Sequence, residues 1–158
     1  MQKIVTPILI ALVFLGCASA PVSQEQSNVS KTVDVKGFDK ADIYKLSKMW
    51  IAQNFRSAKK VIEFDDAEAG TIIGNGITTL KCSGMQCLAG SNTLNFTMQL
   101  DAKKDKFRLT FSNLSITTAQ GNERAIWKGD LPQAKAKLLE FADDISAFIT
   151  KSSAQDDW

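Results

Sequence analysis

The chain has 158 residues, of which 44% are hydrophobic and 23% charged; that is enough for one domain with a modest core, and it fits neither a disordered nor a wholly membrane-embedded protein. Removing a leader up to Gly16 would take Lys3 alone from the 19 basic side chains and leave 18 against 17 acidic ones. Such a balance lacks the basic field that nucleic-acid binding requires, so no nucleic-acid partner is expected.

In chain order, Met1-Gln2-Lys3 is followed by an apolar run from Ile8 to Leu15 and then by Gly16-Cys17. This is the layout of a secretory signal with a small residue at the cut. The run is too short to span a bilayer, which takes about 20 apolar residues. Phe14-Leu15-Gly16-Cys17 resembles the lipobox of bacterial lipoproteins, although phenylalanine stands where leucine is usual. The resemblance implies a signal peptide over 1–16 and a diacylated Cys17 as the new N-terminus, with the membrane as partner through that lipid. Two acyl chains, at about 0.8 kcal/mol per buried CH₂, would anchor the protein stably. Ala18 follows Cys17 where inner-membrane lipoproteins carry aspartate, so by the same resemblance the expected site is the outer membrane, facing the periplasm. The alternative is an ordinary signal cut after Ala18-Ser19-Ala20, with Pro21 a poor residue to follow such a cut.

Residues 17–30 contain Pro21, four serines and several amides without apolar periodicity, and read as the lipidated cysteine plus a flexible tether. The domain is expected over 31–151. Val33 and Val35 alternate with polar residues in a short strand ending at Gly37. Asp39 then reads as the N-cap of a helix running to about Phe55, with Asp42 in its first turn. Ile43, Leu46, Met49, Trp50 and Phe55 form its apolar stripe.

Lys60–Asp65 and Thr71–Leu80 are rich in β-branched residues and flank Asp66-Ala67-Glu68-Ala69-Gly70, which predicts a hairpin. Strict alternation over Leu94–Leu100 predicts a strand with one buried and one wet face. Phe107, Leu109 and Phe111 continue it, but Leu114 and Ile116 fall on the opposite phase, so a bulge or break is expected near Ser112 and Asn113. Asp130-Leu131-Pro132 announces a second helix, whose face of Leu138, Phe141, Ala142, Ile145, Phe148 and Ile149 runs to Lys151. Residues 152–158 read as a frayed tail. The order β-α-β-β-β-β-α predicts an α+β domain, an antiparallel sheet of about five strands with two helices on one face.

Trp50-Ile51-Ala52-Gln53-Asn54-Phe55, Ser57-Ala58-Lys59-Lys60-Val61-Ile62, Asp66 and Gly70-Thr71-Ile72-Ile73-Gly74-Asn75-Gly76 together resemble a bacterial domain family of unknown function with a TATA-box-binding-protein-like fold. The resemblance covers about Lys31 to Thr118. It implies a helix-gripping antiparallel sheet, and brings no substrate, cofactor or catalytic residue. The Cys82–Cys87 segment departs from that pattern. A TATA-box role does not follow, because the chain is expected to be exported and lacks a basic saddle.

Few residues suggest chemistry. Cys82 and Cys87 lie in a turn-rich loop, and in an oxidising compartment they read as a disulfide closing a short ring. A redox or metal pair fits less well: the spacing is not C-x-x-C, and the chain has no histidine. Gly74-Asn75-Gly76 sits inside a predicted strand and opens no helix, so it reads as a site of close packing or a bulge, beneath the Trp50 side of the first helix, and not a phosphate loop. Asp65, Asp66 and Glu68 could serve as paired carboxylates, yet a solvated turn is the simpler reading. Trp127 is a candidate contact residue that could equally cap the core, and Asp66 is a weaker one. No metal site and no cofactor are expected. The leading expectation is a non-catalytic, lipid-anchored module binding an envelope protein or an apolar small ligand. The alternative is an accessory periplasmic hydrolase using carboxylates near Asp66.

Overall fold

The computed structural model describes residues 21–55, 62–81 and 90–153. Cys17, Cys82, Cys87, the leader and the tail beyond Ser153 lie outside them, as does most of the Ser57–Ile62 motif. The elements are α1 (Gln24–Ser27), β1 (Val29–Asp34), α2 (Lys40–Asn54), β2 (Ile62–Asp66), β3 (Thr71–Thr79), β4 (Thr93–Lys103), β5 (Lys106–Thr117), β6 (Glu123–Ala125) and α3 (Leu131–Ser153). The expected α+β architecture is present. The strands form one antiparallel sheet in the order β1-β5-β4-β3-β2, with β6 pairing the far end of β5.

The buried face follows from alternation. Leu94, Phe96, Met98, Leu100 and Ala102 of β4 all point inward, as do Phe107, Leu109 and Phe111 of β5. Helices α2 and α3 cover this face. Ala134, Leu138, Ala142, Ile145 and Ile149 of α3 are fully buried, so the helix–sheet space is filled by side chains. At its centre Phe141 meets Trp50 and Phe55 edge-on at 5.9 Å and Phe96 at 5.9 Å, geometries that add to the burial itself. A Cβ on Gly76 would fall 2.4 Å from the Phe96 ring and 3.2 Å from Phe55. The glycine in β3 is therefore a packing device beneath the aromatic cluster, which includes Trp50, as the sequence suggested.

The expected bulge is at Asn113. Asn95 pairs Ser115 and Thr97 pairs Ser112, so Asn113 and Leu114 together oppose one residue of β4. Asn113 adopts φ 53°, a left-handed conformation that asparagine tolerates better than most residues. The extra residue resets the phase and puts Leu114 and Ile116 back in the core beside Phe111.

Three expectations need correction. The tether is not free from Pro21 onward: Pro21 bridges Trp127, the Val22 N–H donates to the Ile126 carbonyl at 2.9 Å, Ser27 is buried, and β1 already starts at Val29. Local polarity hid this because the segment is held by backbone pairing, which leaves no apolar period. Of the expected α2 stripe, Ile43, Trp50 and Phe55 are buried and Leu46 packs partly buried against the core, but Met49 is 42% exposed; Tyr44, small Ser47 and Ile51 complete the buried face in its place. Finally, the expected sheet of about five strands has a sixth, β6, after Gly121, too short to show alternation.

Candidate functional site

With one face under the helices, the other face of the sheet is open. Most of its residues are polar and joined across strands in rows, and two large apolar side chains, Ile77 and Phe64 (paired with Ile73), stand exposed on it. In one row Asn75 of β3 donates to Glu63 of β2, Thr97 of β4 donates to the Asn75 side-chain oxygen at 2.8 Å, and Asn113 of β5 donates to Thr97 at 3.2 Å. In the next, Asn95 donates to Ser115 at 3.2 Å and Thr117 at 2.8 Å, and Ser115 donates to Glu123 of β6 at 2.6 Å. Beyond lie Ser30 with Thr110 at 3.2 Å, and Asp101, which accepts from Thr71, Gln99 and Arg108 at 3.0–3.1 Å. Burial pushes the Asp101 carboxyl up, but the bonds from Gln99, Arg108 and Thr71, with the Arg108 charge, leave it below the usual carboxylate value.

These rows border an open hollow of about 860 Å³, lined by Asn75, Ile77, Thr79, Asn95, Thr97, Asn113, Ser115 and Glu123 of the open face and, where it reaches the end of α2, by Asn54, Phe55, Gly76 and Phe96. Ile77 stands in it 67% exposed. Alternation and register place Lys103, Lys106 and Arg108 at one end of the face, against Asp34, Asp101, Glu63 and Glu123. The face is thus close to neutral, and its donors and acceptors are held by one another before any ligand arrives.

The carboxylates singled out in the sequence are used separately. Asp65 points to the helix side, where it accepts from the Tyr44 hydroxyl and pairs with Lys48. Asp66 shapes its turn by accepting from the Ala69 N–H at 2.9 Å, and Glu68 offers its backbone carbonyl to Lys40. Among the described residues no group of three or more acidic, cysteine or histidine side chains could hold a metal ion, and no helix is long and apolar enough to cross a membrane.

Trp127 is 41% exposed, with the Arg124 guanidinium 4.5 Å over its ring. Asp130 holds this corner together. It accepts from Arg124 at 2.6 and 3.1 Å and from the Trp127 N–H at 3.0 Å, and its carbonyl starts α3 by accepting from Ala134. Burial pushes the Asp130 carboxyl up, and Arg124 and the Trp127 N–H bring it below its ordinary value. Sequence reasoning found Trp127 and Asp130 but missed the open face, since the rows exist only once strands are in register.

A family model described as a domain of unknown function (DUF4468) with TBP-like fold matches residues 30–117. A solved DUF4468 family protein from Bacteroides ovatus is 17% identical, with 77% of this chain and 82% of that one covered and a TM-score of 0.54. A TBP-like protein from Parabacteroides distasonis is 11% identical, with 87% and 98% covered and a TM-score of 0.60. At such identities the likeness is one of fold. No curated protein matches the chain.

Proposed function

Because the chain belongs to the DUF4468 family of domains of unknown function with a TBP-like fold, which supplies an architecture and no activity, we propose a function from the site itself: a non-catalytic binding module, lipid-anchored through Cys17 in the bacterial envelope, that meets its partner on the open face of the sheet. The observation that carries this reading is the open hollow in which hydrogen-bonded polar rows surround exposed Ile77 and meet the Phe55 and Phe96 rings. Donors fixed in advance lose little entropy on binding, and the apolar side chains exposed on the same face, Ile77 and Phe64, supply contact anchors.

The neighbouring alternatives draw less support. An apolar ligand gripped between helix and sheet would compete with the fully buried side chains of α3 and β4 for the same space. A hydrolase near Asp66 would need convergent carboxylates, and Asp65 and Asp66 are engaged on different partners. Near-neutral charge across the face gives phosphates no field to follow.

The test is photo-crosslinking in intact cells from a probe at position 77, with a probe at Asp144 on the exposed side of α3 as control. The expected result is one reproducible adduct from position 77 alone, reduced when Cys17→Ser releases the protein from the membrane. Absence of an adduct at position 77 and at other open-face positions would reject the face, and retention of the Cys17→Ser protein in the membrane fraction would reject the anchor.

A further inference from the structure

The packed N-terminal segment fixes how close an anchored domain must stand to its membrane. Pro21 is bridged to Trp127, and Val22 is bonded to Ile126. Only residues 18–20 then separate Cys17 from structured chain, a leash of at most about 14 Å when fully extended. A domain of this size is about 36 Å across, so the leash cannot lift its anchored corner clear of the bilayer surface.

What that corner presents suits a lipid surface. Trp127 is 41% exposed beside the leash, and Val22, Leu131, Pro132, Lys128 and Lys135 line one adjoining hollow. Both lysines are exposed, and among the described residues neither forms an ion pair. One acidic residue, Glu25, is exposed on the neighbouring α1, leaving the corner net positive. Tryptophan favours the membrane–water interface, where its ring is apolar and its N–H is wet. Lysines near an anionic surface add electrostatic attraction that falls off within a Debye length. From the short leash and this chemistry we propose that the Trp127 corner rests on the headgroup layer, so the domain is docked on the membrane and does not swing on a tether. The inference rests on the Cys17 anchor.

The lipidated protein, reconstituted in vesicles of phosphatidylethanolamine and phosphatidylglycerol doped with a brominated phosphatidylcholine, tests both readings separately. In a Trp158→Phe background the remaining emission comes from Trp127 and from Trp50, which is buried. The expected result is bromolipid quenching that is lost on adding Trp127→Phe, with Trp50 emission reporting that the fold is kept. Lys128→Glu with Lys135→Glu leaves the fluorophore in place and should lower the same quenching. If the wild type fails to float with the vesicles, the anchor reading falls and this inference with it. If it floats but the quenching is indifferent to Trp127, the anchor stands and the docked corner is overturned, leaving that patch to a protein partner.

Discussion

Ser47 puts a hydroxyl where the packing would accept a methyl. It is fully buried in α2 against the sheet, and its Oγ has no hydrogen-bond partner among the described residues. A buried hydroxyl without a partner forfeits its hydration for nothing, and alanine is the better helix former. Ser47→Ala should therefore stabilise the protein by about 1 kcal/mol, read as a higher urea midpoint at unchanged slope. A lower midpoint would show that the hydroxyl has a partner after all. Asp130 is the opposite case, a half-buried charge with both carboxylate oxygens hydrogen-bonded. Its carboxyl lies below the ordinary 3.8 in the folded protein. A group whose folded pKa is lowered contributes stability that is fully present above its unfolded value and is lost as pH falls through the folded one. Asp130→Asn should thus cost on the order of 1–3 kcal/mol at neutral pH, where the charged bonds to Arg124 are made. The gap between variant and wild type should close as pH falls below the ordinary 3.8 and through the lowered folded value, where the wild-type carboxyl itself takes up a proton. A gap that stays constant down to acid would mean that shape, not charge, is what Asp130 provides.

At the scale of elements, the bulge shows what one sequence can tell and what it withholds. The phase slip between Phe111 and Leu114 was legible because a strand has a strict period of two, and any extra residue must appear as a break in it. Asn113 sits at that break with φ 53°. A β-branched side chain is strained in the left-handed region, so Asn113→Val should destabilise by about 1–2 kcal/mol while Asn113→Gly stays close to neutral, both measured by thermal unfolding. Equal effects of the two variants would mean that the side-chain bond to Thr97, not the backbone angle, is what matters. Other elements left no such mark. Strand β6 is three residues, Glu123-Arg124-Ala125, whose only claim to be a strand is its pairing with Ser115, Ile116 and Thr117. In α2, Met49 is apolar yet exposed, while Tyr44 and Ser47 complete the buried face with Ile43, Trp50 and Ile51, and Leu46 packs at its edge. The open-face site was half legible: alternation made Asn95, Thr97 and Gln99 outward-facing, but only register sets Asn75 beside Thr97 and Asn95 beside Ser115.

For the whole molecule, the boundary of the domain decides how it is held. A polar segment read as a tether predicts that removing it changes nothing, whereas a packed segment predicts a loss that can be weighed. A chain starting at Lys31 would lack Val29, which is 3% exposed and pairs Phe111, and Val22, which packs against the core and is bonded to Ile126. Burying one valine contributes roughly 1.5–3 kcal/mol, and the lost pairing at the start of β1 adds to it. Against a total of about 5–15 kcal/mol for a domain, that is a large share. Soluble chains starting at Pro21 and at Lys31 should therefore differ by about 2–4 kcal/mol in urea unfolding, with a smaller slope for the shorter chain because it buries less surface. Equal stability would return residues 21–30 to the role of a free linker and remove the short leash on which the docked corner depends. The predicted loss would mean that the strand pairing the core to the sheet edge also holds the domain against its anchor, so that folding and placement at the membrane share the same residues.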